Sequence, residues 1–125
     1  MKNEIFQKVF DVLQPVLPTE WRKMILYAAY TEGSYSMKFY TSDNNGRYTD
    51  CFSQPGVNDD DVVSAFIDIN EILAPERKML DDINRWSVMT MIVEADGTMK
   101  TEFAYDDISE NTIAYERKWK ETHLK

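Results

Sequence analysis

Arg85 to Asp107 reads RWSVMTMIVEADGTMKTEFAYDD, two alternating runs of apolar and polar residues around Ala95-Asp96-Gly97. Asp-Gly between such runs is a strong β-hairpin signal. Its register matters more than anything else in the chain, because a slip of one residue turns every side chain to the opposite face. A two-residue Asp96-Gly97 loop pairs Val93 with Lys100 and Met91 with Glu102. A three-residue loop, with Gly97 as a left-handed bulge, pairs Val93 with Met99 and Met89 with Phe103. The second register gathers Met89, Met91, Val93, Met99, Phe103 and Tyr105 on one face and is the one expected. The other face then carries Thr98, Lys100, Glu102 and Asp106 together with Trp86, Val88 and Ile92. A face so mixed is either half covered by a loop or helix, or a place where another molecule binds.

Ile5, Phe6, Val9, Phe10, Leu13, Val16 and Leu17 recur at helical spacing, predicting an amphipathic helix over 3–14 that ends near Pro15. Lys23 to Thr31 is rich in Tyr, Ile and Leu and predicts a strand. Glu32-Gly33-Ser34 is a turn, and Tyr35, Met37 and Phe39 alternate as a second strand. Asn45-Gly46 is a further hairpin signal, followed by a short third strand over Arg47 to Phe52. Pro55-Gly56 marks a loop. Val62, Val63, Phe66, Ile69, Ile72 and Leu73 predict a second helix, which Pro75 is expected to kink or restart through Met79, Leu80 and Ile83. After the hairpin, Asp107-x-x-Glu110 looks like a helix start, with Ser109 as a competing cap. Ile108, Thr112, Tyr115 and Trp119 then lie near one side of a C-terminal helix.

The order α-β-β-β-α-β-β-α predicts an α+β fold in one domain over residues 1–125. An antiparallel sheet of about five strands, with helices mainly on one face, would bury the apolar stripes. A chain of 125 residues with 43% hydrophobic and 29% charged residues is large enough for its own core. No apolar run is long enough to span a membrane. Glu4 and the lack of a long apolar stretch in MKNEIFQ argue against a secretory signal. Cys51 is the only cysteine, which excludes an internal disulfide and fits a cytoplasmic location.

Little here asks for catalysis. A Cys51–His123 pair would need the C-terminal tail to fold back, and one cysteine with one histidine is a poor zinc set. No phosphate-binding glycine loop or nucleophile elbow occurs. Asp81-Asp82 and Asp106-Asp107 are adjacent in sequence, whereas two-carboxylate catalysis needs residues that face each other across a cleft. Asn58-Asp59-Asp60-Asp61 fits a helix N-terminus better than a calcium loop. No cofactor and no metal is expected. The net charge of −8, from 22 acidic and 14 basic residues, opposes direct nucleic-acid binding and would attract a basic protein.

A set of short motifs gives a more definite reading. Pro18-x-Glu20-Trp21-x-Lys23 leads into Leu26-Tyr27-Ala28, Glu32-Gly33-Ser34 and Phe39-Tyr40. Trp86-Ser87, Gly97-x-x-Lys100, Phe103-x-Tyr105-Asp106-Asp107, Ile108-Ser109-Glu110, Tyr115-Glu116-Arg117 and Trp119-Lys120 follow. In that order the chain resembles the YezG-like antitoxin, or immunity protein, family, from about residue 5 to 120. Pro75 and the segment from Arg47 to Gly56 depart from the family pattern. The resemblance implies a non-enzymatic protein that binds a secreted or contact-delivered toxin domain, often a nuclease, in the cytoplasm of the producing cell. A basic nuclease cleft suits an acidic inhibitor.

Two surfaces are candidates for that contact. One is an acid-rich end formed by Asp59, Asp60, Asp61, Asp106, Asp107 and Glu110. The other is the outer hairpin face with Trp86, Val88 and Ile92, since aromatic residues make good anchors. For each, the competing reading is structural: helix capping for the acids, internal packing for the hairpin residues. A different class of function, small-molecule binding or catalysis in a pocket lined by Tyr27, Tyr40 and Tyr105, stands as the alternative. A generic adaptor or dimerisation module is a third.

Overall fold

The hairpin closes in the register that unites its apolar residues, with Val93 opposite Met99 and Met89 opposite Phe103. The computed structural model describes residues 2–125. Strands β4 (Val88–Glu94) and β5 (Met99–Ala104) meet at a turn where the Glu94 N–H donates to the Thr98 carbonyl. Gly97 there has φ +94°, a conformation that strains any residue with a Cβ. Asp96 accepts the Thr98 N–H at 2.8 Å, fixing the other side of the turn.

Three strands precede the hairpin: β1 (Lys23–Thr31), β2 (Ser34–Ser42) and β3 (Tyr48–Asp50). All pairings are antiparallel, and the sheet order is β3-β2-β1-β4-β5. The central strand β1 is covered on both faces. Met24, Leu26, Ala28 and Tyr30 join one core, and Ile25, Tyr27 and Ala29 join another. Burial on both sides explains why its sequence is an almost unbroken apolar run rather than an alternation.

Helices α1 (Asn3–Leu13) and α2 (Asp59–Lys78) supply the larger core, through Phe6, Val9 and Leu13 and through Val62, Phe66, Ile69 and Leu73. Helix α3 (Thr112–His123) closes the smaller core on the opposite face, mainly with Trp119. Two of the three helices therefore share a face. The mixed outer face of the hairpin is the one that α3 covers.

The elements differ from expectation in five places. The second helix runs unbroken through Pro75. A proline there removes one N–H from the ladder, but the bond lost would go to the carbonyl of Glu71, an exposed residue where water can replace it. Arg85 then collects the carbonyls of Arg77, Lys78 and Leu80 and ends the helix. Helix α3 starts later than the Asp107 signal, because Asp107 spends its carboxylate on the Ser109 N–H and hydroxyl, and Asn111 donates to the Ile108 carbonyl. Strand β3 stops at Asp50, which accepts the Phe52 N–H and turns the chain into a short helical turn over Cys51–Ser53. Tyr105 lies past the end of β5 and is 59% exposed instead of joining the core.

Trp86 is the fifth. The Ser87 N–H donates to the Ala104 carbonyl, one residue out of step with the β4–β5 ladder. That slip frees Trp86 from strand alternation, and its ring enters the larger core between Tyr30 and Phe103.

Cys51 is 1% exposed, and burial pushes its thiol up to about 12. At neutral pH the reactive thiolate is therefore far scarcer than on a free chain. An alkylating reagent is expected to leave the native protein unmodified and to label it once in denaturant. Native-state labelling at the free-thiol rate would contradict this packing.

Candidate partner-binding surface

The two groups of acids that the sequence suggested as one end lie far apart. Asp59, Asp60 and Asp61 form the first turn of α2, where the Asn58 side chain accepts the Asp60 N–H at 2.8 Å. Arg77, in the last turn of the same helix, lines one groove together with Asp106 and Asp107. From Asp60 to Arg77 the helix rises roughly 25 Å. Glu110 is exposed in the turn before α3. The structure thus places Asp106 and Asp107 on one groove, with Glu110 in the turn that follows, and leaves the α2 acids separate. Among the described residues, no group of three or more His, Cys, Asp or Glu side chains is placed to hold a metal ion.

The two acidic groups also differ in their surroundings. Arg85 joins Arg77 on the wall of the groove holding Asp106 and Asp107, so positive charge offsets the carboxylates there. On α2 the acids continue into a face that carries Val63 and Ile67, 46% and 47% exposed, with Asp68 and Glu71 on its flanks. Spacing of three and four residues puts Asp60, Val63 and Ile67 on one side of the helix. Phe52, also exposed, packs edge-on against Phe66 nearby. Exposed aliphatic groups rimmed by carboxylates can be desolvated by a partner while the rim meets its cations.

The hairpin candidates divide. Trp86 is 2% and Val88 1% exposed, so both are internal packing. Trp86 is capped by Arg77, whose guanidinium sits 5.7 Å from the indole and 5.1 Å from the Tyr30 ring, and whose Nε donates to the Trp86 carbonyl. Ile92 is partly buried, packed against the smaller core.

Tyr27, Tyr40 and Tyr105 do not share a pocket. Tyr27 and Tyr40 lie against Trp119, at 4.8 and 5.9 Å between ring centres, while Tyr105 lines the Arg77 groove. Burial, and then the Glu116 carboxylate, hold the Tyr27 and Tyr40 hydroxyls protonated far above the usual phenol range. The alternative of a tyrosine-lined site therefore lacks its cavity.

Sequence reasoning passed over the surroundings of α3. A groove of about 570 Å³ runs along it, lined by Asp106, Ile108, Tyr115, Trp119 and His123 among others. His123 stacks on Trp119 at 4.8 Å and approaches Glu102 of β5 at 3.4 Å. The spacing of four between Trp119 and His123 was visible in the sequence, but the Glu102 contact depends on how α3 seats across the sheet.

Four carboxylates are held below their ordinary range. Asp43 accepts the Arg47 and Asn45 N–H groups, Asp96 the Thr98 N–H and hydroxyl, and Asp107 the Ser109 hydroxyl and N–H. Lys100 and then His123 do the same for Glu102. Each folded-state value is lower than the unfolded one, so in acid the unfolded chain binds more protons. Their stabilisation is complete above the ordinary values of 3.8 and 4.5 and is lost as pH falls through the lowered ones. Urea midpoints are expected to fall below about pH 4.5, and Asp107→Asn to flatten that fall. An unchanged acid limb in Asp43→Asn, Asp96→Asn and Asp107→Asn together would show that the turns do not carry it.

The family described as "Immunity protein YezG-like" matches this chain over residues 2–125. The chain is also similar to the protein named "Immunity protein YezG" from Bacillus subtilis (strain 168). The two are 26% identical over 124 residues, which cover 92% of this chain and 81% of that relative.

Proposed function

Since this chain belongs to the YezG-like immunity protein family, we propose that it neutralises a cognate toxin domain, a basic nuclease, by binding it in the cytoplasm without turning over any substrate. The observation that carries the reading is the family match across residues 2–125. The net charge of −8 supports the choice of a basic partner, because an acidic inhibitor is steered towards a phosphate-binding cleft. No cofactor or metal enters. The acids at Asp59, Asp60 and Asp61, with the exposed Val63 and Ile67 beside them, are the contact favoured here. The group at Asp106, Asp107 and Glu110, with Ile92, is the second choice.

Co-expression with the toxin encoded beside this gene tests the proposal. Growth should be rescued, and the two chains should co-purify as a stable complex. Toxicity unrelieved by co-expression, with no complex on mixing, would overturn it. Nuclease assays on the purified complex separate the finer claim: a bound toxin whose activity is not that of a nuclease leaves the immunity role standing and removes the substrate class.

A further inference from the structure

The two edges of the sheet are finished differently. At the β3 edge the strand has three residues, and the Gln54 amide donates to the carbonyls of Thr49 and Asp50. That edge is short and partly occupied, as solvent-facing edges usually are. At the β5 edge six residues run straight from Met99 to Ala104. Glu94 bonds Thr98, so by alternation Lys100, Glu102 and Ala104 turn their N–H and C=O groups inwards to β4. The backbone groups of Met99, Thr101 and Phe103 therefore point outwards. A groove between this edge and α1, lined by Asn3, Phe6 and Gln7 on the helix side, leaves the same three residues open.

We infer that this edge pairs with a second copy of the chain, antiparallel, about a two-fold axis through Thr101. The edge is complementary to itself. In that register Thr101 faces Thr101 of the second copy, and Met99 faces Phe103, so each outward N–H meets an outward C=O. On the opposite face of the sheet Lys100 faces Glu102 of the second copy, and Glu102 faces Lys100. Each copy already places these two side chains 3.2 Å apart on one face, with Lys100 69% exposed. Pairing turns them into a square of four alternating charges, and opposite charges directly across strands are favourable. A shift of two residues would lose part of this match, so the charges also select the register. The surface is separate from the α2 acids, and a dimer leaves them accessible.

Sedimentation velocity from micromolar to millimolar concentration tests the inference. Wild type should pass from monomer to dimer in that range. Thr101→Pro removes the N–H on the axis without touching the ladder to β4, because that N–H points away from it. Its circular dichroism should be unchanged and its dimerisation weakened at least tenfold. Lys100→Glu should weaken it similarly, and Lys100→Glu combined with Glu102→Lys should restore it. Thr101→Cys should form a disulfide-linked dimer under mild oxidation, since paired residues at such a position lie within disulfide reach. Lys78→Cys, on an exposed site away from the edge, should not. A wild type that stays monomeric to millimolar concentration, or a dimer indifferent to Thr101→Pro, would overturn the assignment.

Discussion

Trp119→Ala is expected to destabilise the protein by about 3–5 kcal/mol, the range for emptying a buried aromatic site. Trp119 is the only fully buried residue of α3, and it touches Tyr27, Tyr40 and His123 while its indole N–H donates to Thr90 at 2.8 Å. Twelve residues make a marginal helix in water, so α3 depends on docking. Removing the ring also leaves the buried Thr90 hydroxyl without its donor. Urea titration would give the loss, and hydrogen exchange would place it. The α3 amides should lose protection first, while those of β1 should keep theirs to the reduced global limit. Trp119→Phe keeps most of the contact but not the donor, and about 1–2 kcal/mol is expected. A loss under ~1 kcal/mol for the alanine variant, with α3 still protected, would mean that other contacts close this face.

The same tryptophan shows how far local pattern carries. The hairpin register was readable because Asp-Gly fixes a turn and only one pairing keeps five apolar residues on one side. The bounds of β1 were readable because a strand covered on both faces leaves a continuous apolar run. The outer hairpin face stayed ambiguous for a physical reason. Whether Val88 and Ile92 meet water or α3 depends on where a helix more than twenty residues later returns, and the intervening turns do not encode that path.

The rule that gives the hairpin its register misplaces Trp86. Strand alternation assigns it to the outer face, and the out-of-step bond from Ser87 to Ala104 reverses that. Pro75 reads as a kink or restart, yet the helix runs through it. Its cost as a helix breaker depends on whether the orphaned carbonyl can reach water, and near the exposed end of α2 it can. Asp59, Asp60 and Asp61 read as a helix N-terminus and form one, whereas Asp107 and Glu110 read as a helix start and lie in the turn before α3. Placing the two groups at one end required knowing which way α2 runs across the sheet, and the sequence holds no local signal for that.

That separation makes the proposed function sharply testable. Asp59→Lys/Asp60→Lys/Asp61→Lys and Asp106→Lys/Asp107→Lys/Glu110→Lys change the net charge by the same amount. Long-range steering of a basic toxin should therefore fall alike in both, slowing association by roughly 10-fold or more at low salt. The α2 variant is expected to lose more. Its acids have exposed Val63 and Ile67 beside them and no arginine across a groove, so a docked partner would desolvate the charges with the apolar pair. Close, desolvated charge pairs control dissociation, and a further loss of about 2–4 kcal/mol, or roughly 30- to 1000-fold in Kd, is expected for that variant alone. Ile67→Lys should reproduce part of it. Helix content and the urea midpoint bracket the trivial explanation, since capping losses at an N-terminus amount to about 1 kcal/mol and do not unfold a domain. Surface plasmon resonance across a salt series would separate the two components, because steering is screened within a Debye length of about 8 Å at physiological salt and the contact term is not. Equal losses that vanish together at high salt would mean that neither group touches the toxin, and the contact would then have to be sought on the α3 groove.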